Sequence, residues 1–355
     1  MWLTQRLIVA PLVIVLAVLL WTTLPLWLLA AGLLSPFAPG WLRPLRLLWV
    51  VVLHLTFESV ALVVLLVWWV CSGFGWFIRR PYWERRHYDL VQGYLVILFR
   101  ECRRVLRFRI ETVGPAPDAQ PGEPLLVCCR HAGPADSFVL IYALMHWYHR
   151  EPRVVLKASL AWDPAIGVLM RRLPARMISS RPLPGRDLES EVGDLARNLD
   201  GNDAFVIFPE GGNFTPARRE KAIARLNKLG LHRMADRAER MTNVLAPRPG
   251  GVLAALDAAP EADVLLVAHT GLDHIFSVRD LWRELPMDKR ILMGWWRVPR
   301  SEIPEGRDER IDWLFTRWEE VDAWVDEHRP VDLPPPRLRT ATSRGEKAGS
   351  SRGRS

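Results

Sequence analysis

Two short clusters in this chain hold side chains able to move protons and hold anions. The first is Arg130-His131-Ala132-Gly133-Pro134-Ala135-Asp136, which follows the apolar run Leu125–Cys129 and precedes an apolar stretch of helical character. That order places an imidazole at a strand end and a carboxylate at a helix start, where the helix dipole favours the ionised acid. An ionised Asp136 can hold one ring nitrogen of His131 as N–H, which leaves the other free to accept a proton. If the substrate brings its own hydroxyl, no serine nucleophile is needed. The plainer reading is a histidine closing a strand and an aspartate capping a helix.

The second cluster is Phe208-Pro209-Glu210-Gly211-Gly212-Asn213-Phe214-Thr215, followed by Arg218 and Arg219. Glycines after a buried strand let backbone N–H groups converge on an anion, and arginines add charge. A plain turn is the alternative. Lys157, Arg181 at the end of the strand that includes Arg176–Ile178, and Arg248 in Pro247-Arg248-Pro249-Gly250-Gly251 are further cationic candidates.

Three other groups invite a chemical reading. His269, Asp273 and His274 suggest metal ligands, but their spacing fits no zinc pattern. A role in lining the active site or in capping fits them better. Cys128-Cys129 suggests a thiol nucleophile, yet adjacent strand residues face opposite ways and core packing accounts for both. The pairs Trp68-Trp69 and Trp295-Trp296 read as core or interfacial anchors.

The elements that position these residues are legible from Gly114 onward. Apolar runs at Leu125–Cys129, Val154–Leu156, Ala204–Phe208, Val244–Leu245, Val264–Ala268 and Ile291–Trp295 read as strands. Ser137–His149, Leu188–Leu199, Arg218–Leu229 and Asp308–Glu327 read as helices. Alternation of this kind predicts an α/β fold, a mixed sheet flanked by helices, over residues 111–330. Residues 331–355 read as a disordered basic tail.

The chain before this region has a different character. Leu7–Leu34 carries no charge, and Leu47–Phe77 carries only Glu58, with His54 a turn earlier. Each exceeds the roughly 20 apolar residues needed to cross a bilayer, so residues 1–78 predict a transmembrane helical hairpin turning at Ser35–Arg46. Glu58 and His54 read as a buried polar pair that packs the two spans together. Arg79, Arg80, Arg85 and Arg86 follow the second span, against Arg43 and Arg46 in the turn. That asymmetry puts the C-terminal bulk in the cytoplasm of an integral membrane protein, with the plasma membrane as its expected location. Residues 79–110 then predict an Arg-rich interfacial helix whose side chains reach lipid phosphates. Nucleic acid is the rival partner, and the adjoining span favours lipid.

The whole has 355 residues and a net charge of +8, from 47 Lys+Arg against 39 Asp+Glu; at 24% charged it is not wholly disordered. Its 4 cysteines make no disulfide framework, which suits a reducing compartment.

Taken in order, the His131–Asp136 spacing, the strand ending in Arg181, Phe208-Pro209-Glu210-Gly211 and the later strand ending in Pro247 resemble the glycerolipid acyltransferases, the PlsC-like 1-acylglycerol-3-phosphate acyltransferases. The resemblance runs from about Arg109 to Arg329 and includes the closing Trp313…Trp318…Asp322 helix. It implies His131 as catalytic base and Asp136 as its orienting acid. It also implies Arg181 and the Glu210-Gly211 loop as acceptor-phosphate contacts, and oxyanion donors from backbone N–H groups near the His131 turn. The implied reaction is direct acyl transfer from acyl-CoA or acyl carrier protein to a lysophospholipid, giving phosphatidic acid, with no metal or bound cofactor. Gly212-Asn213 stands where the family has Thr-Arg, so one phosphate-binding arginine is missing; Arg218, Arg219 or Arg248 would replace it, or the acceptor lacks that phosphate. Ala132-Gly133 replaces the usual polar pair after the histidine. A different lysolipid or glycolipid hydroxyl, and a non-catalytic membrane-surface scaffold, are the other readings.

Overall fold

The computed structural model describes residues 8–38, 40–114, 122–133, 136–178, 187–273 and 278–330. Among the described residues four α-helices precede the sheet: α1 (Ala10–Thr22), α2 (Leu24–Leu34), α3 (Arg43–Cys71) and α4 (Pro81–Cys102). Among the described residues only α3 is by itself long and apolar enough to cross a membrane. The first apolar stretch is not one straight helix: it breaks at Thr23 ahead of Pro25, with a 68° bend, as in a broken span or a re-entrant loop.

α3 does not stand apart from the rest. Its Glu58 accepts from Ala165 N (2.8 Å), Leu65 O accepts from Arg172 (3.0 Å), and Arg43 donates to Leu285 O (2.9 Å). Ala61, Leu62 and Leu65 join the main hydrophobic core, while Val60, Val63, Leu66 and Val67 face outward. The expected His54–Glu58 pair does not form, because His54 is exposed and Glu58 turns to the α/β domain instead.

Residues 79–110 are not a single interfacial helix either. α4 presents His87, Tyr88, Leu95 and Phe99 to the core, a stripe at helical spacing. A π-helical turn, Arg103–Arg107, follows, and then strand β1 (Phe108–Val113).

The remaining strands are β2 (Leu125–Cys129), β3 (Glu151–Lys157), β4 (Ala175–Ile178), β5 (Asp203–Ile207), β6 (Asp263–Thr270) and β7 (Lys289–Val298). They form one seven-stranded sheet in the order β1-β7-β6-β2-β5-β3-β4. β6 and β7 pair antiparallel and every other pair is parallel, so β1 and β7 run against the rest and the sheet is mixed.

Helices α5 (Asp136–His146), α6 (Pro164–Arg172), α7 (Leu188–Ala196), α8 (Pro216–Lys228), α9 (His232–Arg240), α10 (Pro249–Ala258), α11 (Val278–Glu284) and α12 (Arg307–His328) flank or connect these strands. Every residue of β2 is buried, as befits a central strand covered on both faces. Leu125, Val127 and Cys129 face the core shared with α3–α6, whereas Leu126 and Cys128 face the one shared with α7, α10 and α12.

Val244–Leu245 is buried but is no strand. The N–H groups of Asn243 and Val244 go to Asp322 Oδ1 on α12 (2.6 and 3.2 Å), and that of Leu245 goes to Glu210 Oε2 (2.9 Å). Side-chain carboxylates thus take the place of a neighbouring strand.

Candidate active site

The C-terminal ends of β2, β5 and β6 lie side by side, and each delivers part of one polar cluster. β2 releases Arg130 and His131, and α5 begins at Asp136. His131 Nδ1 stands 3.5 Å from Asp136 Oδ2; the aspartate side chain is fully buried and that of His131 is 12% exposed. Neither Nδ1 nor Asp136 Oδ1 has a hydrogen-bond partner among the described residues. Asp136 Oδ2 also accepts from Gly133 N, which folds the turn back onto the helix start.

β6 adds His269, which the sequence offered as a residue lining the site. His269 Nε2 lies 3.5 Å from the same Asp136 Oδ2 and 3.0 Å from Arg130 O. The carboxylate therefore sits between two imidazoles, and His269 lines the site. No group of three metal-ligating side chains occurs among the described residues, and His274 lies outside them.

Beneath the pair lies Arg130, fully buried. It pairs with Asp273 Oδ1 (2.5 Å) and donates to His269 O (2.5 Å) and Asn243 O (2.9 Å). Burial pushes Asp273 up, but Arg130, Gly271 N–H, His269 and Thr270 outweigh it and hold the carboxyl at about 2. One guanidinium thus ties the ends of β2 and β6 to the Asn243 loop, which Asp322 fastens from α12. The tie was not legible from sequence, since an isolated arginine beside a motif carries no sign of partners over a hundred residues away.

Glu210 corrects the sequence expectation. It does not reach outward to an acceptor phosphate: it is buried, and its two oxygens accept from His131 N (2.8 Å) and Leu245 N (2.9 Å). Burial pushes its carboxyl up to about 8, although both N–H groups and Arg130 pull the other way. Phe214 N donates to His131 O (2.7 Å), so the histidine backbone is held from both sides. The phenyl ring of Phe208 lies 4.6 Å from the imidazole.

The glycine loop does collect cations. Gly211 has φ +67°, and the Arg248 side chain lies over it, 3.0 Å from where a Cβ would be. Arg218 lies over Gly212 in the same way, at 3.4 Å, and donates to Asn213 O (2.9 Å). Arg219, by contrast, is used up on Met241 O and Glu239 O. Burial and the Arg225 charge lower Arg248 from its usual value. Among the described residues no carboxylate pairs with Arg218, Arg225 or Arg248. Lys157 ends β3 on the same rim of the sheet. Arg181 lies outside the described residues.

The cysteines and the backbone of the His131 turn complete the cluster. Cys128 and Cys129 are fully buried; burial pushes Cys128 up to about 12 and Cys129 well above the ordinary thiol value, so neither is an available thiolate. In the His131 turn, the N–H groups of Arg130, His131 and Gly133 are all engaged, and only that of Ala132 has no acceptor among the described residues.

Residues 107–260 match the family model described as Acyltransferase. They form an acyltransferase-family domain. The matched segment holds His131, Asp136, Glu210 and the glycine loop, while His269 on β6 and Asp273 in the turn after it lie beyond it. A protein of Schizosaccharomyces pombe described as an uncharacterized acyltransferase is 25% identical over 188 residues, which are 50% of this chain and 52% of that protein. The chain thus spans about half the length of the curated relative it matches. The crystal structure of the 1-acyl-sn-glycerophosphate acyltransferase PlsC from Thermotoga maritima is a distant likeness, with TM-score 0.46, 15% identity, and coverage of 79% of this chain and 97% of that one. In this acyltransferase domain the sheet's central strands end at the imidazole, and the helices α3 and α4 pack on its flank.

Proposed function

We propose that the chain is a membrane-anchored O-acyltransferase that transfers a fatty acyl group from acyl-CoA or acyl carrier protein to 1-acyl-sn-glycerol-3-phosphate, giving phosphatidic acid. The observation that carries this reading is the His131–Asp136 pair standing beside a glycine loop with Arg218 and Arg248 lying over it and no carboxylate among the described residues to neutralise them.

In this mechanism Asp136 fixes the tautomer with hydrogen on Nδ1, so that Nε2 is the base. The 3.5 Å separation closes to a hydrogen bond as substrate binds, a usual behaviour of catalytic pairs. Nε2 takes the proton of the acceptor hydroxyl, and the oxygen attacks the thioester carbonyl carbon. The resulting oxyanion is met by a backbone N–H, for which Ala132 is the candidate in the turn. Collapse breaks the C–S bond, and the leaving thiolate takes the proton back from the imidazolium. Both substrates arrive with their own reactive groups, so positioning supplies much of the acceleration.

Arg248 and Arg218 replace the arginine missing at Gly212-Asn213 as acceptor-phosphate contacts, with Arg181 and Lys157 kept from the sequence as further cationic candidates. The apolar outer faces of α1–α3 supply the anchor, so the acceptor reaches the site from the lipid phase.

The test is acyl incorporation by the purified full chain from labelled acyl-CoA and acyl carrier protein into a panel of lysolipid and glycolipid acceptors. Incorporation into the phosphate-bearing acceptor is expected to vanish in His131→Ala and to show a KM raised about tenfold or more in Arg248→Ala, with kcat changed much less. Turnover confined to acceptors without phosphate would replace the proposed acceptor, and no turnover with any would favour a scaffold.

A further inference from the structure

A pocket of about 540 Å³ opens between the end of α4, the π-helical turn, the start of β1 and α5, lined by Val96, Arg100, Arg103, Arg104, Phe108, Arg109, Tyr142 and His146. It is separate from the catalytic pair. Tyr142 and His146 are about 9 and 15 Å along α5 from Asp136, at 1.5 Å per residue. β1 stands three strands away from β2, about 14 Å across the sheet.

The lining is divided by chemistry. Val96, Phe108 and Tyr142 make an apolar floor, with Tyr142 stacked on Phe99 at 4.6 Å. The rim carries four arginines. Among the described residues Glu101 is the only carboxylate paired with them: it bonds Arg104 (2.7 Å) and lies 3.7 Å from Arg100. Among the described residues Arg103 and Arg109 have no anionic partner, although the neighbouring Arg107 pairs with Asp288 (2.7 Å) and Arg290 with Glu111 (3.5 Å). A group of unneutralised guanidiniums above an apolar floor suits a ligand with a phosphate at one end and hydrocarbon at the other.

The surroundings select the source of that phosphate. Arg46, in the first turn of the apolar helix α3, donates to Val105 O inside the π-helical turn, so the pocket stands at the foot of that helix. Ile97 on α4 is exposed close by. Basic pockets beside apolar helices are a recognised setting for anionic lipid headgroups.

We propose that this pocket binds the phosphate of an anionic membrane phospholipid headgroup, as a site distinct from the catalytic one. It would hold a bulk lipid rather than a substrate, so it does not rest on the acceptor assignment above.

The experiment uses the full chain in a neutral detergent and a fluorescent dioctanoyl phosphatidylglycerol, with binding read by anisotropy. Unlabelled phosphatidylglycerol, phosphatidylcholine and inorganic phosphate serve as competitors. Phosphatidylglycerol is expected to displace the probe at a concentration at least ~10-fold lower than either of the others. Arg103→Gln/Arg109→Gln is expected to weaken binding about 30-fold, at roughly fivefold per arginine. Removing the same charge at exposed sites elsewhere, as Lys228→Gln/Arg307→Gln, leaves binding unchanged, and so does His131→Ala. Should the pocket double variant lose its thermal transition, the two single variants carry the test. Unchanged affinity in the pocket variants, or equal displacement by phosphatidylcholine, overturns the proposal; equal displacement by inorganic phosphate reassigns the pocket to soluble anions and overturns the lipid source.

Discussion

Replacing Glu210 with glutamine separates the role seen in the structure from the one the loop suggests in sequence. Both oxygens of Glu210 accept buried backbone N–H groups, from His131 at 2.8 Å and Leu245 at 2.9 Å. A glutamine of nearly the same size has one oxygen to offer and turns an NH2 group toward the other N–H. One buried donor is then left unsatisfied, at a cost of about 1–3 kcal/mol. For a domain of this size that is a fall in thermal midpoint of roughly 3–9 °C. Tryptophan fluorescence during heating measures the shift, and initial acylation rates measure the effect on chemistry. Because His131 itself is the residue released, kcat is expected to drop by about tenfold or more, with the KM for the acceptor little changed. A midpoint within a degree of wild type, together with a large rise in acceptor KM, would refute the bracing role and restore Glu210 as a substrate contact.

Three further outcomes follow from the same geometry. Asp136→Asn keeps the side chain's shape but not its charge, and activity is expected to fall by on the order of 10³–10⁴ in initial-rate assays, with the thermal transition retained. Asp273 is held at about 2 in the folded chain, below the ordinary value of 3.8, so its contribution is present above pH 3.8 and is lost as pH falls through about 2. Heating scans from pH 7 to pH 2 should show Asp273→Asn less stable at pH 7 by about 2 kcal/mol, with the gap closing in acid; a constant gap counts against the Arg130–Asp273 pair. Glu58→Leu removes the acceptor for Ala165 N–H at the start of α6 and is expected to cost about 1–3 kcal/mol, seen as faster protease cleavage between α3 and the sheet, whereas Glu58→Gln keeps an acceptor and stays near wild type.

The central strands were readable because burial on both faces turns them into bare apolar runs, as in Leu125–Cys129 and Val264–Ala268. The edge was harder. Phe108–Glu111 alternates apolar and polar side chains, the period of a half-exposed strand, but the alternation is short and directly follows an arginine-rich helix that masks it. Helix α10 opens Pro249-Gly250-Gly251, which reads as a loop until the packing is known: a Cβ on Gly250 would collide with Glu189, and Gly251 lies against Ile207. Close approach, not flexibility, is what those glycines provide. For the candidate site, His131 and Asp136 came from spacing, and the structure does bring them together. The supports under them, Arg130, His269, Asp273 and Asp322, join segments distant in sequence, and no local pattern announces such contacts. Arg219 and Arg248 looked equivalent on paper; only the carbonyls of Met241 and Glu239 distinguish the occupied guanidinium from the open one.

The reversed direction of β1 and β7 has a topographic effect. In a fully parallel sheet, a chain arriving from α4 would enter at the rim opposite the imidazole. Here it enters at Phe108, which pairs with Lys289 at the start of β7, and β7 starts beside the end of β6. The foot of the apolar helix α3 and the exit of His131 therefore share one edge, and the sheet never stands as a wall between the greasy segment of the molecule and the imidazole.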